Sequence, residues 1–406
     1  MMTGPKLRDV EIQPIQHQGQ AMILLRDPLR LGEAAIAIPQ ALAPVLGLMD
    51  GTRDEAALQA AFTIRIGMRL VPGLLSQLVA DLDKAYLLDN ERSAAAIAAT
   101  LKAYREAPFR PMGSAGSSFP ADPAEAAIQL QGYADASAPA AIGQEMGPVR
   151  GVISPHIDYQ RGGPVYGEVW RAAAQAANDA DLAIIFGTDH QGSNGTLTLT
   201  RQSYATPWGV LPTDQALVDK LADALGSEIA FAEELHHAHE HSIELAAVWL
   251  HFVRGGRPVA LLPILCGSFG GFVAGEGDPA AHEPFDAVLR VLQASIGSRR
   301  VLVVAAADLA HIGPAFGDPY GLDFIARAQL RSADERLLSA VYAGDAAAFF
   351  DTLKAEGDRR RVCGLPPIYL ALRLLETASG QPAGYAVCPA DPQGLSFVTI
   401  AGAVLR

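Results

Sequence analysis

The chain has 406 residues, 50% of them hydrophobic and 18% charged, and 31 Lys+Arg against 44 Asp+Glu set a formal charge of -13. That length exceeds one average domain, and the composition belongs to a globular protein with a large core rather than a disordered one. The acidic balance excludes a broad electrostatic footprint for nucleic acid, and neither a membrane span nor a signal peptide is recognisable; small molecules or proteins are the expected partners and the cytoplasm the expected compartment.

From about Asp9 to Asn90 a strand-like opening leads through Ile38-Pro39-Gln40-Ala41-Leu42 to a turn at Leu48–Arg53 (LMDGTR) and a helix-period stretch from Pro72 to Tyr86. The LMDGTR turn and the ending LLSQLVADLDKAYLLDN resemble PqqD-like domains. That resemblance implies a small winged-helix-like domain over residues 1–90, of a kind whose relatives bind a peptide against the wing. The plainer reading is a helical module that packs on the main domain or makes a dimer contact. Ala-rich Glu91–Lys102 has strong helix formers and no Pro or Gly, and predicts a connecting helix over 91–104. Turn-rich Pro111–Pro123 (PMGSAGSSFPADP), a helical stretch near Ala124–Leu130 and a loose segment from Ala134 to Gly147 then open the third region, 105–406.

From Val149 onward strand-like and helix-period segments alternate, the first helix-period stretch being Val165–Ala176, and this is the mark of an α/β layered domain with a mostly parallel central sheet. Three apolar runs end on histidine: Val152–His156 (VISPH), Leu182–His190 (LAIIFGTDH) and Val301–His311 (VLVVAAADLAH). Ligands collect beyond the carboxyl ends of such strands, so these runs point to a site. Gly384–Cys388 and Ser396–Val404 predict an antiparallel pair at one sheet edge, joined by a turn at Asp391–Gly394.

Pro155 forces an extended approach and throws the His156 imidazole above the sheet, where a ligand role fits. His190 follows Gly187-Thr188-Asp189; Asp189 either orients an imidazole or caps the loop. His236-His237-Ala238-His239-Glu240-His241 carries four imidazoles in six residues, of which only His241, nearest the apolar helix, is placed in the pocket, with the others expected at solvent. Asp308 and His311 lie three apart, suited to orienting a substrate, moving a proton or capping a turn. Cys363 sits between Arg359-Arg360-Arg361 and a helix opened by Pro366-Pro367, where cations and the helix N-terminus favour the thiolate; Cys266 and Cys388 read as small buried core residues. Two or three His plus Cys363 make a metal centre the leading idea.

SSFPADP, SPHIDYQRGGPVYG, FGTDHQGSNG, YATPWGVLPTD, HEHSIEL, AADLAHIG and VCGLPPI follow one another between about Arg105 and Arg406, and in this order they resemble the MEMO family. The family's fold is similar to that of LigB-type class III extradiol dioxygenases, which hold non-haem Fe(II) and split aromatic rings with O₂. The resemblance implies that His156, His190 and Cys363 occupy metal-binding positions, with His311 and Asp308 beside the metal and His241 on the opposite wall. Asp189-His190-Gln191 stands where Ser-His-His is commoner, which alters the polarity around the pocket. The implied function is a metal-dependent oxidoreductase, with Fe(II) and as alternatives Cu or Zn, acting on a small aromatic or heterocyclic substrate. His311 would be the acid/base, Asp308 would fix its tautomer, and His241 would bind a substrate oxygen. Two other readings stay open: a metal-carrying or redox protein that recruits a peptide or protein through its N-terminal domain, and a zinc hydrolase.

Overall fold

A computed structural model describes residues 4–137, 147–297, 299–376 and 379–406. The chain divides into two compact units, Met1–Glu106 and Ala107–Arg406.

In the first unit, strands β1 (Glu11–His17), β2 (Gln20–Arg26) and β3 (Ile36–Pro39) form an antiparallel sheet in that order. Gln18-Gly19 joins β1 to β2 with both residues at positive φ, the two-residue turn whose twist suits a hairpin. Helices follow at Glu55–Ile66, Leu74–Lys84 and Glu91–Glu106. Asp54 caps the first of these by accepting from the Ala57 N–H, and Gly67 at φ 75° ends it. The helix expected from Pro72 starts at Leu74 because Gly73 sits in the left-handed region at φ 82°. Leu25, Phe62, Leu82 and Leu87 form the buried centre of this unit.

The second unit is built on β4 (Gly151–Ser154), β5 (Leu182–Thr188), β6 (Leu197–Leu199), the hairpin β7 (Tyr204–Thr206) and β8 (Gly209–Leu211), β9 (Ala260–Cys266), β10 (Val301–Ala306), β11 (His311–Ile312), β12 (Gly380–Pro389) and β13 (Phe397–Leu405). Its main sheet runs β11-β13-β4-β10-β5-β9-β6, with β12 against β13. The central four, β4-β10-β5-β9, are parallel, and antiparallel strands flank them on both sides. The fold is therefore mixed α/β around a mostly parallel centre. Alternate side chains of β5 feed opposite cores: Leu182, Ile184 and Phe186 join one cluster with helices Gln215–Leu225, Glu283–Ile296 and Leu365–Leu375, while Ala183 and Ile185 join another with Tyr159–Ala172 and Ser242–Val253. Burial on both faces explains why these strands read as continuous apolar runs.

Two local expectations change. The strands stop short of their histidines, at Ser154, Thr188 and Ala306. The helix expected from Val165 begins at Tyr159, because Asp158 caps it by accepting from the Arg161 N–H. Its glycines serve packing, since a Cβ on Gly163 would lie 2.4 Å from the Tyr133 ring. The final strands do pair antiparallel, β12 at the edge and β13 inside it against β4. Among the described residues no helix is long and apolar enough to cross a membrane.

Candidate metal centre

Three neighbouring parallel strands each deliver a site residue two positions beyond their last residue: His156 after β4, Asp308 after β10 and His190 after β5. Cys363 reaches the same place from the loop before the helix Leu365–Leu375. That loop lies hard against β10's tip, with the Gly364 N–H donating to the Asp308 carbonyl at 3.0 Å, and a Cβ on Gly364 would meet that oxygen at 2.4 Å. Cys363 Sγ then sits 3.3 Å from His156 Nε2. The His156 ring centroid lies 5.0 Å from that of His190 and 5.5 Å from that of His241, and one donor atom from each imidazole falls within 4.8 Å of the others.

What aims these rings is a set of acceptors on their far nitrogens. His156 Nδ1–H donates to the Ala306 carbonyl at 3.0 Å, which leaves Nε2 as the lone-pair donor. Glu240 serves two rings at once: Oε2 accepts from His190 Nδ1 at 2.9 Å, and Oε1 lies 3.2 Å from His241 Nδ1. Backbone N–H groups of His190, His241 and Ser242 also donate to this carboxylate. Sequence reading passed over Glu240, although an acidic residue between two histidines was the available signal.

The electrostatics suit a cation. Burial raises the Cys363 thiol, but His156, His311 and hydrogen bonds from His156 and His190 more than offset it and bring it down to about 5. Burial likewise opposes charge on His156, yet Asp308 and the thiolate hold it up at about 9. Glu240 is well below the carboxylate range, because the attraction of His190 and His241, with hydrogen bonds from the His190 ring and the Ser242 N–H, outweighs its burial. Burial pushes His241 down to about 4, so this imidazole stays neutral and available to a metal. In metal-free protein Cys363 is thus a thiolate above about pH 5, whereas burial lifts Cys388 to about 11 and Cys266 well above its ordinary value. Iodoacetamide at pH 7 is expected to alkylate Cys363 and spare the other two. Peptide mass spectrometry across pH 4–9 checks this; labelling that already fails on lowering the pH from 9 to 8 contradicts it.

Other candidate residues take different places. Asp308 does not touch His311; its Oδ1 accepts from the His156 and Ile157 N–H groups at 2.8 and 3.2 Å, and Oδ2 lies 3.8 Å from His156 Nε2. The reason is that His311 is carried off into β11, where its Nδ1 faces the carbonyls of Leu309 and Arg361. Asp189 does not orient His190 but pairs with His236 at 2.9 Å. His237, expected at solvent, is fully buried: Tyr204 Oη donates to its Nδ1 at 2.7 Å and its Nε2–H donates to the Thr198 carbonyl at 3.0 Å. Burial depresses it to about 3, so it stays neutral. His236 is half-buried, and of the three only His239 is exposed. Cys266 and Cys388 are buried.

A cavity of about 510 Å³ opens beside the three imidazoles and includes Ser114, Ser118, His311 and Phe316 in its walls. A smaller one of about 240 Å³ reaches His190 and Cys363 from the other side. A larger cavity of about 710 Å³ lies at Arg150 and Val301, at the amino ends of β4 and β10, and holds none of the site residues.

A family model described as Memo-like protein matches residues 110–388. A MEMO1 family protein of Aquifex aeolicus is 26% identical over 372 residues, covering 92% of this chain and 91% of its own. That span exceeds the larger unit and so reaches into the smaller one. A MEMO1 family protein of Methanosarcina acetivorans is 27% identical over 57% of this chain and 75% of its own, and the protein memo-1 homolog of Caenorhabditis elegans is 26% identical over 66% and 71%. With more than half of its length matched by the family model, and the matched part containing every residue of the imidazole–thiolate cluster, this chain belongs to the Memo-like family.

Proposed function

We propose that this protein is a metal-dependent oxidoreductase in which ferrous iron is held by His156, His190 and Cys363, with His241 as a further imidazole at the same centre. The observation that carries this reading is the convergence of three imidazoles, with Nδ1 of His156 and of His190 tied to acceptors and that of His241 facing Glu240, beside a thiolate in contact with His156. Imidazole and thiolate donors together fit iron, copper or zinc rather than magnesium or calcium. Bound there, iron or copper would supply redox chemistry and polarise a substrate oxygen, whereas zinc would supply only the polarisation.

The chain's own residues define the rest. Asp308 and the Ala306 carbonyl hold His156 in place. His311 donates from Nδ1 to backbone carbonyls, so its Nε2 is the atom that accepts a proton from a substrate hydroxyl in the cavity. Ser114 and Ser118 offer hydroxyls, and Phe316 offers an aromatic wall to a small aromatic or heterocyclic ring. The resemblance to LigB-type dioxygenases supports the same substrate class.

A second reading is favoured by β1, the mostly exposed edge of the three-stranded sheet. An open edge accepts an added strand, which suits a PqqD-like winged-helix domain recruiting a peptide or protein to a metal carrier without turnover. Anaerobic Fe(II) titration of the full chain is expected to give about one iron per chain, lost in His156→Ala and Cys363→Ser. Oxygen uptake with catechols and heterocyclic phenols then separates the enzyme from the carrier. Unchanged iron content in both variants would rule out this ligand set.

A further inference from the structure

Asp189 and His190 are adjacent in sequence, yet they face different clusters. His190 joins the imidazole–thiolate centre, while Asp189 meets His236 and Glu233, and one donor atom from each of these three lies within 4.8 Å of the others. The His-rich segment divides in the same way, with His236 on one side and His241 on the other. We propose that Asp189, Glu233 and His236 form a second divalent-cation site, distinct from the imidazole–thiolate centre and of harder, oxygen-rich character.

The cluster is built rather than incidental. The Asp189 side chain is 1% exposed and that of His236 14%. The Gln191 N–H occupies Asp189 Oδ1 at 3.1 Å, which turns Oδ2 toward His236 Nδ1 at 2.9 Å. Glu233 is held by the Ser193 N–H and hydroxyl and by Thr196 Oγ1 at 3.1 Å, so it is a fixed acceptor and not a loose surface acid. Gly192 lets the loop close over this point: a Cβ there would lie 2.8 Å from Asp189 Cγ and 2.7 Å from Gly267 Cα. Among the described residues no lysine or arginine pairs with Asp189 or Glu233. The two carboxylates favour a protonated His236 despite its burial, yet even then they outnumber its charge, so the pocket stays net negative and a divalent cation between them would offset both acids.

Two carboxylates and an imidazole select manganese or zinc over the soft ions favoured by a thiolate. The ion would tie the loop 189–196 to the His236–His239 turn and so brace the segment that also carries His190. Bound there it would also displace any proton shared between Asp189 and His236.

The probe is Mn²⁺ alone, added to metal-free full-length protein and followed by electron paramagnetic resonance. Wild type and Cys363→Ser are expected to bind one Mn²⁺ per chain. Glu233→Gln and His236→Gln, each with unchanged circular dichroism, are expected to bind it at least about tenfold more weakly, since even an outer partner of a metal is worth that much. Absence of bound Mn²⁺ in wild type, or equal affinity in both folded variants, overturns the site and leaves the triad as an ion pair closed by His236. Retention of iron by His156→Ala would instead count against the first centre and leave this result untouched.

Discussion

Arg110→Met is expected to destabilise the larger unit by about 3–5 kcal/mol, the usual cost of breaking one side of a buried ion pair. Arg110 and Glu244 are both fully buried, with Nη1 to Oε2 at 2.7 Å. Glu244 also accepts from the Gly113 and Ser114 N–H groups, which places the serine loop of the cavity wall. Arg110 further donates to the carbonyls of His237 and Glu240, so one guanidinium ties the His-rich segment to that loop. Removing it strands a carboxylate and two carbonyls away from water. Urea unfolding with tryptophan fluorescence reads this out, because Trp170, Trp208 and Trp249 all belong to the larger unit. Arg110→Met with Glu244→Leu is expected to regain part of the loss, since an apolar pair avoids the desolvation of two charges. An unchanged midpoint in the single variant would mean that water or another cation reaches Glu244.

Glu240→Gln is expected to weaken metal binding at the first centre by about 10–100-fold, the range found when an outer partner of a ligating histidine is lost. The two Glu240 oxygens face different rings: Oε2 accepts from His190 Nδ1 at 2.9 Å, and Oε1 lies 3.2 Å from His241 Nδ1. A glutamine accepts on only one, so one ring must change tautomer or turn away. Nitrogen NMR of the imidazoles reports which ring changes, and calorimetric Fe(II) titration reports the affinity. Equal affinity in wild type and variant would show that Glu240 is a structural acid alone.

Much of this site was legible along the chain because strand tips are local features. Apolar runs of four to seven residues, closed by Pro155 or by Gly187-Thr188, mark where a buried parallel strand ends. The residues thrown past those ends, His156 and His190, were therefore identifiable, and Cys363 stood out through its Gly and Pro neighbours. The helix at Tyr159 was less legible, since Gly162-Gly163-Pro164 reads as a break while a single cap from Asp158 and close packing on Tyr133 sustain the helix. The His-rich segment was misread for a related reason. Four imidazoles in six residues look alike in sequence, and only the hairpin β7–β8 and strand β6 supply the Tyr204 hydroxyl and Thr198 carbonyl that bury His237.

Composition and periodicity by themselves determined the α/β class, the strand ends and the kinds of donor atom on offer, because burial on two faces and chain-terminating residues leave direct traces in order and spacing. Only the tertiary structure decided the partnerships: Asp308 with His156 rather than His311, Asp189 with His236 rather than His190, and Glu240 beneath two rings. Hydrogen bonds reach about 3 Å and join residues 50 or 150 positions apart. Which acceptor meets which imidazole is therefore set by how neighbouring strands and the loops beyond them pack, and linear spacing carries no record of it.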